Sequence, residues 1–260
     1  MRRIELTMMQ LNIKNLLFTV LIVLITSSAS AKADEILIAV ASNFKSPIAE
    51  IARKFEEETN HKVTLIYGST GRHYAQIKNG APFDAFFSAD SHRPELLEKE
   101  GLIVPGSRFT YALGKVVLWS PQDDLIDQNG SVLSHGRFKR IAMAHPKLAP
   151  YGKAAYEVLS NKGVWDAVKT KVVRGENIGQ TFQFVKSANA QLGFVAYSQL
   201  KQMNDTITGT YWDIPQSLYS QITQQAVILK NNQATRDFIS MMKSASSHSI
   251  IHRFGYGTEP

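Results

Sequence analysis

Apolar residues recur along this chain in two rhythms, short unbroken runs and helical stripes, and their alternation is the signature of an α/β architecture. Residues 36–41 are a continuous apolar run and read as a strand. Beyond it Ile48, Ile51, Ala52 and Phe55 fall at i, i+3, i+4 and i+7, one face of a helix. Ser46-Pro47 opens that helix, with proline where its missing N–H costs nothing. A strand at 63–67, a short helix at 71–78 stopped by Asn79-Gly80, a strand at 83–88 and a helix at 94–99 closed by Gly101 complete a first βα series. The strongly apolar run 115–120 begins a second, with strands at 141–144, 171–173 and 193–197 and helices at 152–161 and 178–187. A late strand at 226–229 and a final helix at 236–242 follow. The stretch 201–217 is polar, with Asn204-Asp205, Gly209 and Pro215, and is expected to form loops with little core.

The first 33 residues stand outside this pattern. Arg2, Arg3 and Lys14 give a basic start, residues 16–25 are apolar apart from Thr19, and Ala31-Lys32-Ala33 is an A-x-A site. This is the three-part form of a secretory signal peptide, with an apolar run too short for a membrane span. Cleavage there leaves a chain that starts at Asp34, and Ala29-Ser30-Ala31 offers a competing site two residues upstream. The chain of 260 residues carries 29 Lys and Arg against 22 Asp and Glu, but four of those cations and one of those acids lie in the first 33 residues. The remainder balances 25 against 21. That mild excess suits an anionic ligand, and no basic run suggests nucleic acid. Cysteine is absent, which excludes disulfides, thiolate metal sites, a Cys nucleophile and a lipidated N-terminal cysteine. A binder with no anchor stays with its cell only behind an outer membrane, so the periplasm of a Gram-negative bacterium is expected.

Four strand-to-helix junctions share one character: Ala41-Ser42-Asn43, Gly68-Ser69-Thr70-Gly71, Ala149-Pro150-Tyr151-Gly152 and Gly175-Glu176-Asn177-Ile178. Each places small, hydroxyl-bearing or glycine residues before a helix. The first helical turn has unpaired N–H donors and a partial positive charge, so it binds anions without a counter-ion. The hydroxyls of Ser42 and Thr70 and the amide of Asn43 add donors. Any one junction alone reads as an ordinary helix cap; the four together point to an oxyanion site and leave the ion unnamed.

Catalytic patterns are weaker. The seven histidines show no H-E-x-x-H spacing; His248 and His252 are four apart but lack a carboxylate partner. No G-x-S-x-G elbow, Walker loop or G-x-G-x-x-G occurs. Asp84 and Asp90 flank a strand and read as a cap and a turn residue rather than an acid pair. Trp119, Trp165 and Trp212 are dispersed and read as packing residues.

At this point several ordered motifs resemble the periplasmic molybdate-binding proteins (ModA). They are Ala39-Val40-Ala41-Ser42-Asn43-Phe44, Tyr67-Gly68-Ser69-Thr70-Gly71, Gly80-Ala81-Pro82-Phe83-Asp84 and Ser88-Ala89-Asp90. The likeness continues through Phe109-Thr110-Tyr111-Ala112, Leu148-Ala149-Pro150-Tyr151-Gly152, Leu192-Gly193-Phe194-Val195-Ala196 and Arg253-Phe254-Gly255-Tyr256. It implies a type II periplasmic binding protein fold, two α/β lobes joined by two crossover strands with the ligand in the cleft. Crossovers near Leu113-Gly114 and Gln224-Gln225 give a first lobe of 34–113 plus 226–260 and a second of 114–225. The resemblance also implies molybdate or tungstate held by hydrogen bonds with no cationic side chain, no cofactor, and delivery by a monomer to the membrane permease of an ABC importer. Carried over position by position, the ligand contacts are Ser42 and Asn43, Thr70 with its neighbour Ser69, Tyr151 and the amide of Ile178. One departure stands out. Some members carry a tyrosine directly after the Gly-aliphatic-Val strand; here Ala196 occupies that place and Tyr197 follows, and a one-residue slip turns a side chain to the opposite face. Asn43 is then expected to supply the missing donor.

Molybdate is a dianion near neutral pH, so its site is expected to present about five to eight donors and no carboxylate acceptor. A sulfate or phosphate binder is the neighbouring reading; phosphate carries protons, and Glu176 is the acceptor it would use. A hydrolase with Ser42 as nucleophile lacks a base, and an exported signalling or adhesion module would show no oxyanion-driven closure.

Overall fold

The computed structural model describes residues 34–203 and 207–258; the expected signal peptide, residues 1–33, lies outside them. The chain first lays down β1 (Glu35–Ala41), a 3-10 turn (Ser42–Phe44), α1 (Lys45–Thr59), β2 (Lys62–Gly68), α2 (Thr70–Lys78), β3 (Ala85–Ser88), α3 (His92–Lys99) and β4 (Phe109–Gly114). After the single residue Lys115 come β5 (Val116–Ser120), β6 (Ile141–Ala144), α4 (Pro150–Asn161), β7 (Val172–Gly175), α5 (Ile178–Lys186), β8 (Leu192–Ala196), α6 (Tyr197–Lys201) and β9 (Thr210–Asp213). The chain then returns through β10 (Ile222–Ile228), α7 (Gln233–Met242) and α8 (Ala245–Arg253).

These strands form two mixed five-stranded sheets, ordered β2-β1-β3-β10-β4 and β7-β6-β8-β5-β9. In each, three strands are parallel because helices carry the chain back over the sheet. Each sheet is covered on both faces. Ile48, Ile51 and Phe55 of α1 pack with Phe87 and Phe238 on one face of the first sheet, while Ile77, Leu97 and Phe86 fill the other. Burial on both faces is why β6 and β8 are apolar throughout instead of alternating. Trp119 and Trp212 are buried in the second half, Trp119 stacking on Phe182. One cluster there also takes in Ala41 and Ala89 from the first, so apolar packing is continuous where the halves meet.

The type II two-lobe architecture expected from the sequence is the one observed. Four local readings need correction. Within the stretch expected to be loop, Thr210–Asp213 is an edge strand paired to β5, with Trp212 turned inward; four residues among polar neighbours are too few for the period-2 signal to emerge. The expected strand at 193–197 ends at Ala196, and Tyr197 opens a helix. The late strand begins at Ile222 rather than 226, since Thr223, Gln224 and Gln225 pair with β4 despite their polarity. The helix at 236–242 is not the last, for Ala245–Arg253 follows. Its serine-rich start conceals it, yet the Ser244 side chain caps it by accepting from Ser247 N–H.

Gly152, in the first turn of α4, sits against the end of β6. A Cβ there would collide with the backbone carbonyl of Ala144, which has no flexible end to swing away. Gly152→Ala is therefore expected to lower stability by about 1–3 kcal/mol through overpacking. Denaturant titration reads this directly, and an unchanged midpoint would overturn it.

Candidate functional site

Four helical starts meet at one point. The turn Ser42–Phe44 follows β1, α2 follows β2, α4 follows β6 and α5 follows β7. All lie beyond the carboxyl ends of parallel strands, where open α/β sheets place their ligands. Between them is a cavity of about 10 Å³, far smaller than the roughly 300–1,000 Å³ of a site for a drug-sized organic molecule. Ser42, Asn43, Ser69, Thr70, Tyr151 and Ile178 all line it, so the structure brings together every position singled out from the sequence. None of its twelve lining residues carries a charge.

A helix's first amides have no carbonyl within the helix to bond, and counting where they go identifies the donors left over. In α5 the Gly179 N–H donates to Ser42 Oγ at 3.1 Å and the Gln180 N–H to Asn177 Oδ1 at 2.9 Å, which leaves Ile178. In α4 Pro150 has no N–H, and the amides of Gly152 and Lys153 go to the Ala149 carbonyl at 2.9 and 3.1 Å, which leaves Tyr151. In α2 the Gly71 N–H donates to the Leu148 carbonyl at 2.9 Å and the His73 N–H to that of Ser69 at 3.1 Å, so the Thr70 amide remains at the cavity.

The hydroxyls point the same way. Ser42 Oγ accepts from Gly179 and Thr70 Oγ1 accepts from the Ala89 N–H at 3.0 Å, so each keeps its own proton to donate. Ser69 is only 2 % exposed, and its Oγ has no hydrogen-bond partner among the described residues. A buried, unpaired hydroxyl costs about 1–3 kcal/mol; here it lines a cavity where an acceptor would satisfy it. Beneath this turn lies His73, whose Nε2 is 3.2 Å from the Val40 carbonyl. A Cβ on Gly68 would come within 2.8 Å of that ring, so glycine is what lets the turn sit on the imidazole. Burial lowers the His73 pKa and favours the neutral ring.

Behind the cavity is a buried polar network that no sequence spacing announces. Asn43 Nδ2 donates to Gln224 Oε1 at 2.7 Å and to Tyr256 Oη at 3.0 Å. The Tyr256 hydroxyl donates to the Asn43 carbonyl at 2.7 Å and lies 2.9 Å from Ser198 Oγ. Burial holds the phenols of Tyr111 and Tyr151 well above their usual pKa of 10 and pushes Tyr256 up to about 12, so all three are neutral. Both N–H bonds of the Asn43 side chain are thus engaged away from the cavity, and the Tyr151 hydroxyl points toward Gln224. The motifs had exposed Asn43 and Tyr151 but not Gln224, Tyr111, Tyr256 or Ser198 as a connected set.

Other candidates have different employment. Tyr197 lies outside the cavity lining, packed by Tyr211, Lys115 and Lys201. The Glu176 carboxylate is not in the lining either; it bonds Arg72 at 2.8 Å across the mouth. Asp84 accepts from the Leu37 N–H at 2.7 Å and Asp90 pairs with Arg93, both holding turns. The His252 ring bonds the Tyr256 carbonyl and the Thr258 hydroxyl at 3.1 Å each. Ser42 Oγ faces an amide N–H, not an imidazole or carboxylate that would take its proton.

Comparisons with known proteins agree with this geometry. Residues 36–257 match the family described as bacterial extracellular solute-binding protein. The molybdate-binding protein ModA of Azotobacter vinelandii is 46% identical over 235 residues, covering 89% of this chain and 93% of that one. ModA of Rhodobacter capsulatus is 44% identical over 232 residues, covering 88% and 90%. The solved structure of the Azotobacter vinelandii periplasmic molybdate-binding protein superposes with a TM-score of 0.84 at 40% identity, covering 86% of this chain and all of that one. With its sequence and fold matched along nearly the whole length, the chain belongs to the ModA family of bacterial extracellular solute-binding proteins, non-enzymatic components of transport.

Proposed function

We propose that this protein captures molybdate, or the closely similar tungstate, between its lobes and delivers it to the membrane permease of an ABC importer. The observation that carries this reading is a small uncharged cavity whose free groups are donors: the hydroxyls of Ser42, Ser69 and Thr70 and the first-turn amides of Thr70, Tyr151 and Ile178. Helix-start dipoles supply positive potential without a cation. The Asn43 side chain is held in the network behind. Phosphate is disfavoured because its proton needs an acceptor, and Glu176 is turned to Arg72. The two relatives above 40% identity are themselves described as molybdate-binding, which supports the choice of ion.

In this reading the lobes are 34–113 with 226–260 and 114–225, and they rock about the two crossings. An ion bonded from both sides favours the closed form, and the permease recognises that form. The protein acts as a monomer in a Gram-negative periplasm after its first 33 residues are removed.

Titration calorimetry of residues 34–260 against molybdate, tungstate, sulfate and phosphate tests the function. One tight site for molybdate and tungstate with much weaker sulfate and phosphate is expected; equal affinity for sulfate would overturn it. Residue roles are tested separately by Ser69→Ala and Thr70→Ala. Each removes a charge-assisted hydrogen bond of about 1.5–3 kcal/mol, roughly a 10- to 150-fold loss in affinity. Unchanged affinity in both variants would mean that the hydroxyls do not touch the ion.

A further inference from the structure

One buried side chain joins the two walls of the cavity without lining it. Gln224 lies on β10, where the chain returns to the first sheet, and is completely buried. The β10–β4 register shifts between Gln224 and Gln225, so the strand is irregular at this residue. Its Oε1 accepts from Asn43 Nδ2 at 2.7 Å and from the Tyr111 hydroxyl at 3.1 Å. Its Nε2 reaches the Tyr151 hydroxyl at 3.5 Å. Asn43 belongs to the turn after β1, whereas Tyr151 is in the first turn of α4 over the other sheet. Gln224 is thus the tie between two of the four helical starts.

The first crossing is shaped around the same contact. A Cβ on Gly114 would collide with the Tyr151 hydroxyl and come within 2.8 Å of Gln224 Nε2. This glycine has no left-handed backbone to demand it, so its role is to make room for the Tyr151–Gln224 pair.

We propose that Gln224 is the positioning residue of the oxyanion site, holding the Ser42–Phe44 turn and the start of α4 so that their amides converge on one ion. The proposal rests on the oxyanion reading above. An amide suits the place because it offers an acceptor to Asn43 and Tyr111 and a donor to Tyr151 at once. Leucine fills similar space but removes the Gln224 bond from all three, leaving Asn43 with only Tyr256 and Tyr111 with only the Ser88 carbonyl, so nothing ties the Asn43 turn to Tyr151. Glutamate is more discriminating: protonated, it can still accept and donate as the amide does, but ionised it loses the donor and sets a negative charge beside the dianion. The titratable groups facing Gln224 are Tyr111 from β4, Tyr151 from α4 and, through Asn43, Tyr256 from the C-terminal segment, with Asp90 acting on Tyr111 from the loop after β3. The three phenols stay protonated from pH 6 to 9.

The test is calorimetry with molybdate on residues 34–260 as wild type, Gln224→Leu and Gln224→Glu between pH 6 and 9. Binding stoichiometry reports the folded fraction and so separates weakened binding from failed folding. Gln224→Leu is expected to bind at full stoichiometry but at least about tenfold more weakly. Gln224→Glu is expected near wild-type affinity at pH 6 and about tenfold or more below it at pH 9, with wild type level across the range. Wild-type affinity in Gln224→Leu, or a pH-independent Gln224→Glu, overturns the positioning role and leaves the oxyanion reading standing. A wild type that ignores molybdate removes that reading, and the positioning role with it.

Discussion

An α-helix begins with amide groups that no carbonyl in the helix can satisfy, and this protein brings four such beginnings together. Their partial charges are alike, so convergence is unfavourable until an anion lies among them. The rest of the architecture follows from that constraint. Parallel strands are needed to aim several helix starts at one end of a sheet, and two sheets are needed to oppose them across a cleft. Gly68 and Gly152 let backbone turns sit tightly against His73 and Ala144. Ser69, buried with an unpaired hydroxyl, adds a free donor to the cavity wall.

How the ion's charge is met bears on which ion fits. A lysine or arginine in the cavity would attract any anion by point charge. A ring of amide and hydroxyl dipoles instead favours a small, fully ionised oxyanion whose oxygens all accept. A protonated guest would bring a donor of its own, and the uncharged lining includes no carboxylate to receive it. The tyrosines behind the cavity reinforce this, since burial keeps their protons in place.

Local features were legible in the sequence and distant ones were not. The junctions at Ser42, Ser69-Thr70, Tyr151 and Ile178 could be read because a helix start is written in neighbouring residues, and the family motifs put them in one site. Their convergence around one cavity is what the sheets add. Gln224 could not be read, for it meets Asn43 across 181 positions and Tyr151 across 73, and a glutamine in a polar stretch looks like surface. The edge strand at Thr210–Asp213 and the serine-capped Ala245–Arg253 were hidden for a related reason: tertiary packing stabilises them more than local propensity does. At Ala196 and Tyr197 the one-residue offset was read along a strand, whereas Tyr197 opens a helix and its ring packs on Tyr211.

The proposed closure has to rest on differences between open and closed states, and the exposed cross-lobe contacts go only part of the way. The Arg72–Glu176 bridge at the mouth is substantially exposed on both sides, and such pairs contribute about 0–1 kcal/mol. The Arg93 guanidinium donates to the Lys147 carbonyl at 2.8 Å, also at the surface. Ser42 with Gly179 and Gly71 with Leu148 add neutral bonds at the cavity edge. Moving a two-state equilibrium from mostly open to mostly closed takes about 5.5 kcal/mol of differential binding, more than these exposed contacts provide. In the proposed reading an ion accepts from Ser42, Ser69 and Thr70 on one lobe and from the Tyr151 and Ile178 amides on the other, and makes its full set of bonds only when both are present. In that reading the ligand adds its bonds to the buried ones that already join the halves, Ser198 with Asn43 and Tyr256 and the packing of Ala41 and Ala89.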